Sequence, residues 1–270
     1  MAGSTTRPDS VGGSRPDGPA AVKSAVRTVE LLETLARAHR RLTLTELAGQ
    51  LGYPKSSIHM LLRTLVGAGW VEADERGTAY GIGVRALLVG TAFLDRDVVN
   101  QVAAAHLAAL RAHVNETVHL GRLDGSDVVY LASRESMHLL RSGSRVGRRL
   151  PAHSTAMGQV LLAQRSPEEV EQLLSAELEP VTPHTIVDRI ALAAELQDVR
   201  VHQWASEREQ DTLGLGSVAV AIPFGQPASY AMSCSIPLTR LTDAHKREVV
   251  QALLQHAADI GAMLRHLPGA

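Results

Sequence analysis

Apolar residues recur every three or four positions through the first quarter of the chain, which predicts three successive helices. The first predicted helix has an apolar stripe of Val22, Val26, Val29, Leu32, Leu35 and Ala36. The second has Leu44, Leu47, Ala48 and Leu51, and the third has Ile58, Leu61, Leu62 and Leu65. Residues 1–20 are almost free of apolar side chains, so we expect a disordered tail there.

The boundaries of the second and third helices have recognisable end signals. Thr43 precedes the second helix and Glu46 follows three residues later, which predicts a capping box. Gly52 follows the last apolar residue, where a left-handed residue commonly ends a helix. Pro54 is expected to open the third helix. The two helices are therefore predicted to be joined by a short turn.

A β-hairpin is predicted after the third helix. Residues 70–73 and 79–82 have strand character, and the Asp-Glu-Arg-Gly-Thr segment between them is a turn sequence. Three helices followed by a hairpin predict a winged helix-turn-helix domain over residues 21–82. The apolar helical run at 84–94 then predicts a linker helix over residues 83–99.

The remainder of the chain mixes strands and helices without regular alternation. Strands are predicted at 117–120, 128–131, 217–222 and 229–236, and helices at 154–163, 167–174, 190–201 and 243–267. This order predicts an α+β domain with a mainly antiparallel sheet over residues 100–267.

Charge is unevenly distributed along a chain whose net charge is −1. Residues 22–85 hold nine Lys or Arg and six Asp or Glu, a net of +3, so the rest of the chain is acidic. A basic helix-turn-helix predicts double-stranded operator DNA as a partner. A helical domain that binds another protein is the alternative interpretation.

Side chains suited to DNA lie off the apolar stripe of the third helix. Donors for phosphates and for base edges cluster near its start, and Arg76 lies at the hairpin tip. The predicted DNA-binding residues are Lys55, Ser56, Ser57, His59, Arg63 and Arg76.

Composition excludes several other classes of protein. The single cysteine, Cys234, cannot form an internal disulfide. No apolar run is long enough for a membrane span or a signal peptide, so we expect a cytoplasmic protein with no membrane partner. Aromatic residues make up 3% of the chain, which disfavours base stacking on single strands.

Several segments resemble the IclR family of transcriptional regulators, in a consistent order from about Ala21 to Leu267. In the N-terminal half they are AVRTVELL from Ala25 and LTELAGQLGYPKSSIH from Leu44. In the C-terminal half they are ETVHL from Glu116, SRVGRRLPAHSTAMG from Ser144, TPHTI from Thr182 and LTRLT from Leu238. The resemblance implies a repressor that forms a homodimer or homotetramer, with a GAF-like α+β effector domain.

The resemblance also implies a site for a small carboxylate effector, an organic or sugar acid. By position, the site comprises the backbone at Ala156 and Met157 and the side chains of Glu207, Ser217, Ser233 and Ser235. Backbone N–H groups in the first turn of a helix attract a carboxylate, and residues 233 and 235 share one strand face. Ser217 stands where some members have cysteine, and the turn at 225–227 is short, which leaves the ligand's identity open. Plain strand serines are the alternative for Ser233 and Ser235.

An enzyme, a small-molecule hydrolase or ligand-binding enzyme using the C-terminal domain, is the alternative function class. His153 and Ser154 are adjacent, but the sequence has no Gly-x-Ser-x-Gly and no His-Glu-x-x-His motif. Gly214-Leu215-Gly216 lacks the third glycine of a dinucleotide loop. We therefore expect no catalytic residue, no cofactor and no metal site.

Overall fold

A computed structural model describes residues 22–38, 40–144 and 146–267, so the tail predicted at 1–20 lies outside the described residues. The chain divides into two compact units, Met1–Thr91 and Ala92–Ala270. Among the described residues, no helix combines the length and apolar character needed to cross a bilayer.

The N-terminal unit is a three-helix domain with a small sheet, as predicted. Its elements are α1 (Lys23–Arg37), β1 (Leu42–Thr43), α2 (Leu44–Leu51), α3 (Lys55–Gly67), β2 (Val71–Ala73) and β3 (Ala79–Ile82). The strands pair antiparallel in the order β1-β3-β2. Strand β1 was not predicted; its two residues precede α2 and pair with the hairpin.

Local chemistry sets the ends of α2. The Thr43 hydroxyl accepts from the Glu46 N–H at 3.3 Å and the Glu46 carboxylate accepts from the Thr43 N–H at 2.7 Å, which confirms the capping box. Gly52 ends the helix at a φ of 68°, as expected. The prediction that Pro54 opens α3 was wrong by one residue, because Pro54 is the extended N-cap and the helix begins at Lys55.

The predicted apolar stripe of α1 is confirmed in part. Leu35 is buried and Leu32 packs against the same core, as predicted, whereas Val29 is 54% exposed and Val22, 67% exposed, lies outside the helix as its N-cap. The buried Leu31 was not predicted. Successive helical residues are about 100° apart, so Val29 lies nearly opposite Leu31. Packing against the rest of the unit therefore selects the face of Leu31 and Leu35.

The C-terminal unit surrounds a six-stranded antiparallel sheet of order β6-β5-β4-β9-β8-β7, which confirms the α+β prediction. Helix α4 (Val84–Arg96) leads to α5 (Val98–Val114). The strands are β4 (Thr117–Asp124), β5 (Asp127–Arg134), β6 (Arg149–Pro151), β7 (Ala205–Arg208), β8 (Leu215–Ala221) and β9 (Tyr230–Pro237). The remaining helices are α6 (Ala156–Leu162), α7 (Pro167–Leu173), α8 (Arg189–His202) and α9 (Asp243–Arg265).

Two apolar clusters lie on opposite faces of this sheet. One contains residues of α5 and α9 with alternate sheet residues that include Val118, Val218 and Cys234. Cys234 is fully buried there, and burial raises the pKa of its thiol far above the usual range. The other contains α6 and α8 against small residues such as Ala219. Hence α6 and the polar residues beside these alanines share one sheet face.

Glycine at position 121 is required for the close approach of α6 to the sheet. A Cβ there would collide with the sulfur of Met157 and with the Val128 side chain. Because Met157 is in the first turn of α6, this contact positions the start of that helix over the sheet.

Candidate functional sites

Helix α3 presents one exposed face. Ser56, His59, Met60 and Arg63 are exposed and recur at helical spacing, while Ile58, Leu62 and Leu65 are buried. Lys55 is exposed at the first residue. Met60 is 62% exposed, and an apolar tip of this kind can contact a thymine methyl group in the major groove. Met60 was not predicted, although its helical spacing from Ser56 and Arg63 places it on the same face.

Ser57 belongs to a different environment from its neighbours. It is half-buried, and its hydroxyl accepts a hydrogen bond from the Arg27 guanidinium on α1 at 3.2 Å. The same guanidinium stacks over the Tyr53 ring at 4.6 Å, and the Tyr53 hydroxyl donates to Glu30 at 2.6 Å. This network ties α1 to the turn before α3 and to its first turn.

The hairpin tip is held by one carboxylate. Asp74 accepts from the N–H groups of Thr78 and Ala79 at 2.6 and 3.0 Å, and these hydrogen bonds lower the pKa of Asp74. Gly77 adopts a φ of 68° within this turn. Arg76 is therefore displayed, exposed, on a loop of fixed shape.

Cations of the N-terminal unit fall into two groups. Arg37, Arg40 and Arg41 each pair with a carboxylate, at 3.7, 2.6 and 3.7 Å. Over the described part of the chain, no such ion pair is found for six others, which are Lys23, Arg27, Lys55, Arg63, Arg76 and Arg85. The unneutralised positive charge therefore includes α3 and the hairpin tip, where it favours phosphate.

The C-terminal unit has a polar row across four strands that is buried except at the half-buried Ser217. Glu207 pairs with Ser217, Ser217 with Ser235, and Ser235 with Thr117, so all four lie side by side on the α6 face of the sheet. Ser233 lies one pleat along β9 opposite His119, whose ring nitrogen is 2.8 Å from the Ser133 hydroxyl. The sheet thus brings together the predicted residues Glu207, Ser217, Ser233 and Ser235.

Both oxygens of Glu207 already accept hydrogen bonds within the protein. The Ser217 hydroxyl donates to one at 2.6 Å and the Gln210 N–H to the other at 2.9 Å. Glu207 is 4% exposed and lies on β7, a strand that the sequence analysis missed because Ala-Ser-Glu-Arg shows no apolar alternation.

Gln159 on α6 reaches toward the same row. Its amide donates to the His153 carbonyl at 3.0 Å and to the Gln210 side chain at 3.2 Å. The residue is fully buried, and no hydrogen-bond partner for its Oε1 is found among the described residues. An unsatisfied buried acceptor is costly, about 1–3 kcal/mol, and this oxygen is available to a further hydrogen-bond donor. Sequence reasoning gave no sign of Gln159 or Gln210.

Ala156 and Met157 are buried in the first turn of α6. Thr155 caps that turn by accepting from the Gly158 N–H at 3.0 Å. The preceding His153 and Ser154 do not form a nucleophile–base pair. A nitrogen of His153 is 3.0 Å from the Glu179 carbonyl, and the Ser154 hydroxyl donates to the Pro151 carbonyl at 3.0 Å.

Two family models match the chain. "IclR helix-turn-helix domain" matches residues 24–75 and "Bacterial transcriptional regulator IclR C-terminal" matches residues 91–262. The HTH-type transcriptional regulator KdgR of Dickeya chrysanthemi is 34% identical over 243 residues, 89% of this chain and 79% of that protein. The transcriptional repressor IclR of Escherichia coli K12 is 32% identical over 250 residues, 88% of this chain and 89% of that protein.

A solved structure is similar over the same extent. The IclR transcriptional regulator from Alicyclobacillus acidocaldarius aligns with a TM-score of 0.79 and 28% identity, covering 90% of this chain and 98% of that one. Sequence and fold similarity therefore extend over both units.

Proposed function

This chain belongs to the IclR family of bacterial transcriptional regulators, and we propose from that premise that it represses transcription in response to a small acid. We assign operator binding to residues 21–82, the linker to residues 83–99, which contain α4 and the start of α5, and effector binding to residues 100–267. The observation that carries the first assignment is the exposed face of α3 together with the unpaired Lys55, Arg63 and Arg76 among the described residues.

Within α3, we propose a division of labour. Lys55 and Arg63 neutralise phosphates, while Ser56, His59 and Met60 contact base edges in the major groove. Arg76 on the hairpin contacts the adjacent backbone or minor groove. Ser57 acts indirectly, because its hydroxyl already bonds to Arg27.

For the effector, we propose a small hydroxylated carboxylate bound between α6 and the polar row. Its carboxylate rests on the N–H groups of Ala156 and Met157, and Ser233 and Ser235 bond its oxygens. A ligand hydroxyl donates to the unsatisfied Oε1 of Gln159, which is the acceptor that supports a hydroxylated ligand. Glu207 would repel a carboxylate placed beside it and so lies at the other end of the ligand, next to Ser217.

We propose that the effector acts by differential binding to two conformations. A ligand changes operator affinity only if it binds one conformation better than the other, and the coupling is reciprocal. The same site is proposed to bind without turnover, in keeping with a family of transcriptional regulators.

We also propose that the working form is a homodimer or homotetramer. One winged helix contacts too few base pairs to specify a single site in a genome. Two copies bound to a pseudo-palindrome double the number of base pairs contacted. Helix α4 supports this: it has no buried residue, and Val84, Leu87, Leu88, Val89 and Phe93 are exposed. An apolar surface of this kind is typical of a helix that packs against a second copy.

The test combines operator binding with effector binding on the full chain. Fluorescence anisotropy with DNA from upstream of its own gene, against random DNA, measures specificity, and a melting screen of small acids finds the effector. Ser235→Ala should lower effector affinity and blunt its effect on DNA, while operator affinity without effector stays unchanged. Ser175→Ala, at an exposed position of the same unit, is the matched control.

Three outcomes would contradict the proposal. Equal affinity for upstream and random DNA would show that the protein does not recognise a specific operator sequence. If Ser235→Ala loses operator binding in the absence of ligand, Ser235 has a structural role and does not serve the effector site. If only neutral or cationic compounds raise the melting temperature, the effector is not a carboxylate.

A further inference from the structure

We propose that His106 on α5, together with His256 and Asp259 on α9, forms a binding site for a divalent metal ion of the zinc class. One ligand atom from each of the three residues lies within 4.8 Å of the others, and each residue is half-buried. Among the described residues, this is the one group of three metal-ligating side chains so placed. It lies on the sheet face opposite α6, away from the polar row.

The two imidazoles are already spaced almost as metal ligands. Their Nδ1 atoms are 3.1 Å apart and the rings meet edge-on at 79°. Two nitrogens bound to one tetrahedral Zn²⁺ at the usual 2.0–2.1 Å lie about 3.3 Å apart. The spacing of the two nitrogens is therefore close to that of two ligands on one zinc ion.

Neighbouring groups orient these ligands. The Nε2 of His106 is 3.4 Å from the Met263 sulfur, a weak acceptor; in the tautomer with the proton on Nε2, the Nδ1 lone pair faces His256. Gln255 donates to Asp259 at 3.0 Å and so orients the carboxylate. Such outer contacts are typical of histidines that bind metals.

The helices supply a stiff frame. His256 and Asp259 are three residues apart and therefore on one face of α9. His106 is followed by the fully buried Leu107, and His256 by the buried Ala257, so both backbones are anchored in the core. Two nitrogens and one carboxylate oxygen favour Zn²⁺, Co²⁺ or Ni²⁺ over Mg²⁺ and Ca²⁺. Partial exposure leaves room for water as a further ligand, and the bound ion links α5 to α9.

Two imidazoles in a metal-free protein can also satisfy one another through a single N–H···N hydrogen bond. That arrangement does not require Asp259, whereas the metal site does. The carboxylate therefore distinguishes the two interpretations.

The experiment uses the full chain without an affinity tag, after removal of metal by chelator and dialysis. Zn²⁺ is titrated by calorimetry, Co²⁺ is titrated while its visible d–d absorption is recorded, and thermal unfolding is measured with Zn²⁺ or Mg²⁺. We expect one Zn²⁺ per chain, an intense tetrahedral Co²⁺ spectrum, and a Tm raised by several degrees with Zn²⁺ but not with Mg²⁺.

Variants locate the site. His106→Gln, His256→Gln and Asp259→Asn should each lower Zn²⁺ affinity at least tenfold. His113→Gln is the matched control, because His113 lies seven residues along the same helix, 3.8 Å from Glu248 and outside the cluster. Asp259→Asn keeps the side-chain shape, so it remains informative if a histidine variant folds poorly. Absence of saturable binding, a Co²⁺ spectrum of the aqueous ion, or equal affinity in the wild type and Asp259→Asn would overturn the proposal.

Discussion

The guanidinium of Arg240 makes two parallel 2.7 Å hydrogen bonds to the carboxylate of Glu116, which is only 1% exposed. Arg240 lies in the loop before α9 and Glu116 directly precedes β4. The pair therefore joins the LTRLT segment to the ETVHL segment, two of the segments that carried the family resemblance. The contact raises the pKa of Arg240 through its hydrogen bonds to Glu116.

Arg240→Ala should lower the free energy of unfolding by about 3 kcal/mol, because it removes both guanidinium hydrogen bonds from a buried carboxylate, whose other neighbour is His245 at 3.6 Å. Arg240→Lys should recover only part of this loss, since an ammonium cannot bond both oxygens in parallel. Urea unfolding followed by circular dichroism gives both values. As a control, Arg189→Ala removes an ion pair to Glu171 of 2.9 Å whose carboxylate is 74% exposed, and it should cost under about 1 kcal/mol. Similar losses in the two alanine variants would contradict the prediction.

Ser57→Ala should weaken operator binding by about 0.5–1.5 kcal/mol because it breaks the hydrogen bond to Arg27. Arg27→Ala breaks the same bond and also removes the stacking on Tyr53, so its loss should be at least as large. The double variant should then be little worse than Arg27→Ala alone. A double-mutant cycle by fluorescence anisotropy measures this coupling. Additive losses would show that Ser57 contacts DNA independently of Arg27.

His59→Ala should relax sequence preference, with a loss of about 1–3 kcal/mol on the operator and little change on random DNA. Lys55→Ala should weaken both DNAs alike and reduce the dependence of affinity on salt by about one phosphate contact. Anisotropy titrations at several salt concentrations separate the two effects. If both variants change operator and random DNA equally, the proposed division within α3 is wrong.

The capping box should make the stability of the N-terminal unit sensitive to acid. Hydrogen bonds from Arg40, then from Thr43, lower the pKa of Glu46 to about 2. A carboxyl whose folded pKa is depressed stabilises the fold above its unfolded pKa, about 4.3, and loses that contribution as pH falls toward 2. The melting temperature of the isolated segment 22–85 should therefore fall less steeply over this range in Glu46→Gln than in the wild type. Parallel pH profiles would refute this role for Glu46.

Leu88→Glu should weaken self-association, because Leu88 is 63% exposed on the apolar surface of α4. Light scattering and sedimentation at micromolar concentration should give a dimer or tetramer for the wild type and a larger monomer fraction for the variant. Ser175→Glu, at an exposed uncharged position outside α4, controls for one added negative charge. A wild-type monomer would rule out the proposed assembly.

Features set by neighbouring residues were predictable from sequence. The cap at Thr43 and the left-handed residue at Gly52 depend on chemistry within a few positions, and both were confirmed. The phase of α1 was not predictable, because Val29 and Leu31 are both apolar and only packing decides which is buried.

The candidate sites depend on contacts between distant segments, and local patterns do not specify those. The resemblance indicated Glu207 and the serines, but not Gln159, whose role follows from its contact with Gln210, 51 residues away. Likewise, His106 and His256 are 150 residues apart, and a search for closely spaced ligand motifs cannot pair them.

Because Cys234 is buried, its alkylation reports on the opening of the core of the C-terminal unit. This thiol is the only one in the sequence, it is fully enclosed between the sheet and helices α5 and α9, and burial holds it in the unreactive protonated form. Small electrophiles therefore modify it only through conformations in which this core has separated. Its rate of alkylation measures the population of those conformations in native buffer, without denaturant or an introduced label, and any ligand that stabilises the C-terminal unit must slow it.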